Sequence, residues 1–420
     1  MEFFLLYIGI NEWTLYDSQC GIINETRLLK LTSCPNEQYT CYNGDCIELE
    51  KVCDEIDDCL DGSDETDCKT ITMNERKYRK HSPPFTHEKA QVAVHLAIQS
   101  LSNIDEVTKT FESKFHLELK WTDQRLDYLY IHGFHNLLSQ TSTQAIWLPG
   151  LTLSNTIGNL AILDSQTYYV MVSKDADPIY GPRQALHEAM IYSGKENNLV
   201  LTDTYDTKLS CAYELKYYPF DTQRCRIDVT LPRTMLPLVK LISGECNKLS
   251  NDFQLSQFEV IQIKNLTLEN GVACEIVMKR NPEFHVVSTY LPTLTLVIMA
   301  LATLFIDEGH VEATIMVAMT SMLVMFTLHQ NVQSKVPYTA YLKFVDYWLI
   351  YGTLLPFIVF AILVSWELGS GDKEDQDQVL HQLGKSSKVK RNYFKTVPKI
   401  SLPIVTITFT LAYTFVALRL

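Results

Sequence analysis

Four long apolar runs close this chain: Phe284 to Phe305, roughly Val311 to Gln330, Tyr341 to Val364, and Ser401 to Leu420. As helices rising about 1.5 Å per residue, each is long enough to cross a hydrocarbon layer about 30 Å thick. Four crossings return the chain to its starting side, so both termini are expected outside. Residues 1–283 are polar by comparison and carry the cysteines, eleven in the chain. That usage points to an oxidising compartment, so this half should face the lumen or the exterior. The acceptor triplets Asn24-Glu25-Thr26 and Asn265-Leu266-Thr267 suit glycosylation on the same side. The sizeable segment on the other side is Glu367–Lys399, where Lys385, Lys388, Lys390, Arg391 and Lys395 cluster, as positive-inside loops do. The net charge of -13 argues against nucleic-acid binding, and much of the acidity lies in residues 1–70.

Cys34, Cys41, Cys46, Cys53, Cys59 and Cys68 fall within thirty-five residues. So short a segment cannot bury a large core and must fold on disulfides or a metal. Asp54, Asp57, Asp58, Asp61, Asp64, Glu65 and Asp67 crowd between and after the last three cysteines. Carboxylates at that density repel unless a hard cation sits among them, and about six oxygens suit Ca²⁺. Six cysteines alone leave many pairings open. The run from Cys53 to Cys68 closely resembles the LDL-receptor class A repeat. That resemblance implies the pairs Cys34–Cys46, Cys41–Cys59 and Cys53–Cys68. It also implies a structural Ca²⁺ held by the side chains of Asp54, Asp58, Asp64 and Glu65 and the backbone carbonyls of Lys51 and Ile56.

After a basic, proline-containing linker (Arg76 to Pro84), residues 87–280 read as short alternating runs with turns. Phe115, Leu117, Leu119 and Trp121 alternate with His116, Glu118 and Lys120, the period of a half-buried strand. Many such strands predict a β-sandwich. Cys211 and Cys225 bracket thirteen residues, a disulfide-sized loop with Tyr218-Pro219-Phe220-Asp221 at its tip. Cys246 and Cys274 are candidates for another pair, which sequence does not settle because bonding demands a particular Cα separation. Cys20 is left over.

A cysteine-bounded loop of this size, followed by four spans, resembles the Cys-loop receptors, the pentameric ligand-gated ion channels, over roughly 87–420. The implied fold is a multidomain membrane protein. A small disulfide and calcium module comes first, then an extracellular all-β sandwich, then a four-helix transmembrane bundle. The expected divisions are an N-terminal segment (1–33), the module (34–68), a linker (69–86), the ligand-binding sandwich (87–283), spans one to three (284–366), a cytoplasmic loop (367–400) and span four (401–420). Residues 1–10 are apolar but lack the basic flank of a signal peptide, which leaves three readings open: the remnant of one, the start of a truncated sequence, or a poorly packed terminus. The implied setting is the plasma membrane, a synapse being one such place. The implied partners are lipid, four like or related subunits, and a small extracellular ligand.

Trp121 to Tyr128 and Trp147-Leu-Pro149 match motifs of that ligand-binding domain, although Gly150 departs from the usual Trp-x-Pro-Asp. Agonists of the family sit between subunits in a box of aromatic rings that holds a cation or amine. Here the box is incomplete. The run Thr230–Leu236, with Pro232 where nicotinic-type receptors place tryptophan, and the hairpin near 264–272 contain no aromatic residue. His116 takes the place of a common aromatic, with Glu118 beside it. His116, Glu118 and Trp147 are the ligand-site candidates, and a quaternary-ammonium agonist is not expected.

The second apolar run differs from the others. Met316, Thr320, Leu323, Thr327, Gln330 and Ser334 share one helical face, and a mixed polar stripe is costly against lipid, so it should face water or protein. Thr320-Ser-Met-Leu323 resembles the family's pore centre, where a leucine ring closes the channel by dewetting. Counting from Pro337 puts Leu323 at the gate; counting from Asp307-Glu308-Gly309 puts Thr320 there. Anion-selective relatives have Pro-Ala-Arg where this chain has Val311-Glu312-Ala313-Thr314, so a ring of Glu312 predicts cation selectivity. Lys343-Phe-Val-Asp346 resembles the anion branch instead, and the balance is read here as cationic.

Arg280 lies twelve residues before Pro292 and is expected to meet Asp221. The loop Gln333–Thr339 should sit beneath Tyr218–Asp221. Ligand would favour a rotated sandwich that pulls this loop and tilts the pore helices. No nucleophile constellation or zinc spacing suggests an enzyme. Two competing readings are a non-conducting auxiliary subunit, favoured by the incomplete aromatic box, and an adhesion or lipoprotein-uptake receptor acting through the class A module.

Overall fold

A computed structural model describes residues 8–15, 25–35, 37–66, 68–84, 88–133, 136–158, 168–179, 188–248, 255–306, 310–371 and 386–420. Asn24, Cys20 and Asp307-Glu308-Gly309 lie outside the described residues, as does most of 367–385. Strands β1 (Gly9–Leu15) and β2 (Glu25–Leu31) pair as an antiparallel hairpin, and β3 (Gln38–Thr40) pairs with β4 (Cys46–Glu48) inside the cysteine-rich module. The sandwich follows as β5 (Ile71–Met73), β6 (Ala90–Asp105), β7 (Thr110–Trp121), β8 (Leu126–Leu129), β9 (Thr152–Leu153), β10 (Tyr169–Val172) and β11 (Ile191–Ser193). It continues through β12 (Leu199–Ser210), β13 (Thr222–Thr230), β14 (Val239–Lys248), β15 (Phe258–Leu268) and β16 (Gly271–Arg280).

One sheet runs β10-β12-β7-β6-β14, the facing sheet β15-β16-β13-β9, and a third, smaller sheet β11-β8-β5. The β14–β6 pairing is parallel; the other strand pairs of these sheets are antiparallel. Alternation explains the layering. Phe115, Leu117 and Leu119 of β7 are fully buried and Trp121 nearly so, and they join Ile227, Val229, Ile276 and Met278 of the opposite sheet in one core. The intervening His116, Glu118 and Lys120 face outward and remain half-exposed.

The segment read as a linker is part of the sandwich. β5 pairs with β8, and the Thr70 carbonyl accepts from Leu129 N–H at 2.9 Å. Tyr78 inserts its hydroxyl between the Trp147 N–H (2.8 Å) and Asp123 Oδ2 (3.0 Å), with Arg125 4.4 Å from the ring centre. Arg125 in turn grips the fully buried Asp123 bidentately, at 2.8 and 2.7 Å. Residues 69–86 hide this because a three-residue strand and one anchoring tyrosine leave no periodic pattern.

Four helices are long and apolar enough to cross a membrane: Glu283–Phe305, Val311–Lys335, Phe344–Leu368 and Thr396–Arg419. The third helix continues to Gly371 and the fourth begins at Ser386, so both reach into the segment assigned to the cytoplasmic loop. Val297, Leu301 and Leu304 of the first span pack with Ala318 and Met325 of the second and Leu355, Val359 and Leu363 of the third. A second cluster at the other end joins the sandwich to the bundle: Leu215 and Tyr218 pack with Val336, Val345, Trp348, Leu349 and Tyr413.

Candidate functional site

The loop closed by the Cys211–Cys225 disulfide carries the sandwich onto the membrane helices. Its Lys216 and Tyr218 carbonyls accept from the Phe344 and Val345 N–H groups at 2.8 and 3.1 Å, and Leu215 N–H donates to Tyr341 Oη at 3.1 Å. These bonds fasten the loop to the entry of the third span. Tyr218 also lies edge-on to His285 of the first span, with ring centres 5.1 Å apart, and Phe220 packs against Tyr290 and Phe344. Val336, in the connection after the second span, is buried against this cluster, with Pro337 next to it half-buried.

Above that contact the structure brings Arg280 and Asp221 together. Arg280 Nε and Nη2 donate to Asp221 Oδ1 and Oδ2 at 2.7 and 3.1 Å, and Arg280 N–H donates to the Asp221 carbonyl at 3.1 Å. Both side chains are almost completely buried, 2% and 3% exposed. Glu106 Oε1 approaches Arg280 Nη1 to 2.7 Å as an ion pair without hydrogen-bond alignment, and Gln223 Nε2 donates to Asp221 Oδ2. The rings of Phe258 and Tyr218 lie over the guanidinium at 4.5 and 4.7 Å. Burial alone lowers the Arg280 pKa; the carboxylates of Asp221 and Glu106 more than reverse that and hold it above its ordinary value. Such a pair is secure only while complete, because losing one partner strands a desolvated charge. Glu106 and Phe258 were not legible as partners, since each lies in a distant segment and carries no motif; Gln223 stands in the same disulfide loop as Asp221, two residues on.

The outer end of the second span is tied sideways to the third. Gln333 Nε2 donates to Asp346 Oδ1 at 3.0 Å, and Asp346 Oδ2 accepts from Lys343 N–H at 2.9 Å with Lys343 Nζ at 3.7 Å. The second span buries Thr314, Ala318, Ser321 and Met325 against its neighbours. Glu312, Met316, Thr320, Leu323, Thr327, Gln330 and Ser334 are all left exposed on the subunit. The Thr320, Thr327 and Ser334 hydroxyls donate to carbonyls three residues back at 2.8 to 3.0 Å, which leaves their oxygens and the Gln330 amide facing out of the subunit.

On the sandwich, His116 and Glu118 face outward from β7; His116 Nδ1 shares a 2.7 Å hydrogen bond with Thr204 Oγ1, and Glu118 pairs with Lys120 at 2.8 Å. Trp147 is a correction to the ligand-site set. It is 3% exposed and meets Trp121 edge-on in the core, ring centres 6.2 Å apart, so its ring offers no face to a ligand. A tryptophan that fills a core and one that lines a pocket look alike in sequence. The Cys246 and Cys274 sulfurs are bonded and link β14 of one sheet to β16 of the other, beside the exposed Asn265, whose Nδ2 donates to the Gly244 carbonyl at 2.7 Å.

In the N-terminal module the sulfurs are joined as Cys34–Cys46, Cys41–Cys59 and Cys53–Cys68. Asp64 is fully buried. Its Oδ2 accepts from Asp58 and Cys59 N–H at 2.7 and 3.2 Å, whereas its Oδ1 is buried with no partner. Glu65 Oε1 accepts from Asp54 N–H at 2.9 Å, and Lys51 Nζ pairs with Asp58 at 2.9 Å. A buried, unpartnered carboxylate oxygen is costly unless a cation meets it, so this donor set fits a hard cation. Among the described residues a tighter group is Cys41, Cys59 and Asp61, but its two sulfurs are bonded to each other and leave only one carboxylate to ligate.

Residues 69–278, half of the chain, match the neurotransmitter-gated ion-channel ligand binding domain. The chain belongs to the neurotransmitter-gated ion-channel family. Residues 32–68 match the low-density lipoprotein receptor domain class A, a module type that binds calcium. Similar proteins include a glutamate-gated chloride channel of Drosophila melanogaster, 23% identical over 65% of this chain and 58% of that protein. A glutamate-gated chloride channel subunit beta of Haemonchus contortus is 24% identical over 72% of this chain and 69% of its own length. A gamma-aminobutyric acid receptor subunit rho-3 of Homo sapiens is 21% identical over 66% of this chain and 57% of its own. The chain therefore spans less than two thirds of the length of two of these three relatives. Within this family of channels, which are not enzymes, the class A module stands ahead of the ligand-binding domain. Lys30 of β2, which precedes the module, lies 4.0 Å from the ring centre of the module's Tyr39 and pairs with Glu188 of the sandwich, whose carbonyl accepts from Tyr130 Oη at 3.2 Å.

Proposed function

We propose that the chain is a subunit of a pentameric ligand-gated ion channel of the plasma membrane, opened by a small extracellular ligand. The observation that carries this reading is the second span, which keeps its polar stripe on the outside of the subunit while packing its other face on its neighbours. Exposed hydroxyls and amides along a membrane helix call for water or protein beside them, and five such helices about an axis supply both. Leu323, 64% exposed on that face, forms the hydrophobic ring that gates by dewetting.

Motion reaches the gate through Asp221–Arg280 and the Tyr218 tip, whose backbone holds the third span and whose side chain packs on Val336. The cation preference read from Glu312 finds no support among the relatives, two of which are named chloride channels. We therefore assign an anion-conducting pore. Those relatives are named for glutamate and gamma-aminobutyric acid, and with the incomplete aromatic box this favours an amino-acid ligand over a quaternary ammonium, with His116 and Glu118 at the outer sheet face as contact candidates.

The test uses Leu323→Ser in oocytes, with surface delivery confirmed by labelling. A polar ring should leak at rest, and the reversal potential should follow chloride substitution rather than sodium. Surface protein without current would overturn the pore reading, and a reversal that follows sodium would restore Glu312 as the selector. For the class A module, Asp54, Asp58, Asp64 and Glu65 with the carbonyls of Lys51 and Ile56 are assigned to Ca²⁺. Titration of the purified chain should show one tight calcium site, and Asp64→Asn should abolish it; an unchanged isotherm would refute the ligand set.

A further inference from the structure

The gating reading makes no use of the basic stretch that follows the class A module. Over residues 74–82 four cations, Arg76, Lys77, Arg79 and Lys80, stand against the single acid Glu75, in a chain whose net charge is -13. All four are exposed, and none enters an ion pair found among the described residues. The module just before them holds twelve acidic residues against one basic over 34–68, yet no ion pair joins the two among the described residues.

The stretch is a fixed turn and not a tether. Upstream, β5 is paired with β8. Lys77 and Tyr78 N–H groups both donate to the Asn74 carbonyl at 2.9 Å, and Ser82 N–H donates to the Arg79 carbonyl at 3.1 Å. Arg125 Nη1 donates to the Ser82 carbonyl at 2.9 Å, and Pro83 and Pro84 beyond it are buried. Tyr78, between the two basic pairs, turns its hydroxyl inward onto Asp123 and the Trp147 N–H, which leaves Arg76-Lys77 and Arg79-Lys80 on the outside. A turn already held in place has little freedom left to lose when a ligand binds.

The turn lies at the pole of the sandwich farthest from the membrane. Glu106, just past the far end of β6, meets Arg280, which leads into the first span. Trp121, two residues before Asp123, pairs instead with Val92 near the start of β6. The sixteen residues of β6 separate these ends by roughly 50 Å, at about 3.3 Å per residue. That is several times the Debye length of about 8 Å at physiological salt, so the headgroups of the chain's own bilayer are out of reach. The turn also lacks an apolar centre, since Tyr78 points inward, and protein interfaces draw most of their energy from buried aromatic and apolar anchors. A purely ionic surface matches a polyanion, bound through ion pairing and release of counterions. On the outer side of a cell the polyanions that meet Lys/Arg clusters are of the heparin type rather than nucleic acids.

We propose that this turn binds a sulfated polysaccharide outside the cell, its sulfates resting on Arg76, Lys77, Arg79 and Lys80. A polysaccharide that carries only widely spaced carboxylates brings too few anions to fill the turn, so charge density is the discriminating chemistry.

The assembled full-length chain is passed over immobilised heparin, with hyaluronan as the unsulfated comparison. Heparin should bind and hyaluronan should bind severalfold more weakly. With four ion pairs, heparin affinity should fall on the order of a hundredfold between 50 and 200 mM salt. Arg76→Gln, Lys77→Gln, Arg79→Gln and Lys80→Gln combined should abolish binding with melting unchanged, because Tyr78 stays in place. Lys77→Gln alone should lower the salt slope by about 1, and Lys77→Arg with Lys80→Arg should keep it. Lys208→Gln, Arg224→Gln, Lys240→Gln and Lys279→Gln combined, which removes four exposed cations elsewhere on the sandwich, should leave binding intact. No heparin binding at 50 mM salt, binding that survives the combined change in the turn, or equal loss from the second set would each overturn the proposal. If heparin is ignored and the turn variant separates into smaller species on size exclusion, the turn pairs with the acidic module of a neighbouring copy and the proposal falls.

Discussion

The sandwich and the second membrane span expose different kinds of side chain, although both bury apolar ones. Along residues 115–121 of β7 the buried positions are Phe115, Leu117, Leu119 and Trp121, and the outward ones, His116, Glu118 and Lys120, are charged or polar. On the second span Thr314 and Ser321 are 3% exposed while Met316 and Leu323 are 67% and 64% exposed. Water surrounds the first region, so removing apolar surface from it drives the packing. In the bundle, close approach between helices favours small residues on the packed side of the second span, and its exposed face is left for pore water and neighbouring subunits. The buried hydroxyls stay satisfied because Thr314 and Ser321 donate to Val311 and Val317 carbonyls within their own helix, both at 2.8 Å. Hydropathy therefore locates the second span but does not say which of its faces is inside.

Three substitutions sharpen this contrast. Phe115→Ala should destabilise the sandwich by about 3–5 kcal/mol, through lost burial plus a residual cavity. Its readout is surface delivery and the melting of the extracellular half; wild-type melting would mean the two sheets do not share the core described. Asp221→Asn comes next. It leaves Arg280 buried with Glu106 off hydrogen-bond alignment, and breaking a buried pair costs about 3–5 kcal/mol, part of which Glu106 offsets. The double change Asp221→Asn with Arg280→Met should recover folding but not ligand-evoked current, separating stability from coupling. Recovery of both would show the pair to be structural only. Met316→Ala should have the smallest effect, within about 0.5 kcal/mol, as for a surface position free of special contacts. A loss like that of Phe115→Ala would mean that Met316 is packed within the subunit and not on a face left for water or other subunits.

The module and the sandwich also differ in what holds them. Three disulfides and a carboxylate set organise thirty-five residues that have little core, whereas the sandwich needs only alternation and two cross-links. The two are nonetheless continuous. β5 begins three residues after Cys68 and is paired with β8, leaving little room for a hinge.

Much of this was readable in the order of residues, and for a common reason. Apolar runs, the period-two alternation of β7, the spacing of cysteines and the stripe from Met316 to Ser334 are all local patterns, and each reports the environment of one element along its own length. What tertiary structure alone decided involves groups far apart in the chain. Glu106 and Phe258 around Arg280, Gln333 reaching Asp346, and Tyr78 reaching Asp123 and Trp147 each join segments whose residues look ordinary where they stand. Trp147 shows the limit most clearly. Its motif marks the ligand-binding domain, but whether its ring meets a ligand or another tryptophan depends on which way the backbone turns it, and that direction is set by packing against β7 rather than by its neighbours in sequence.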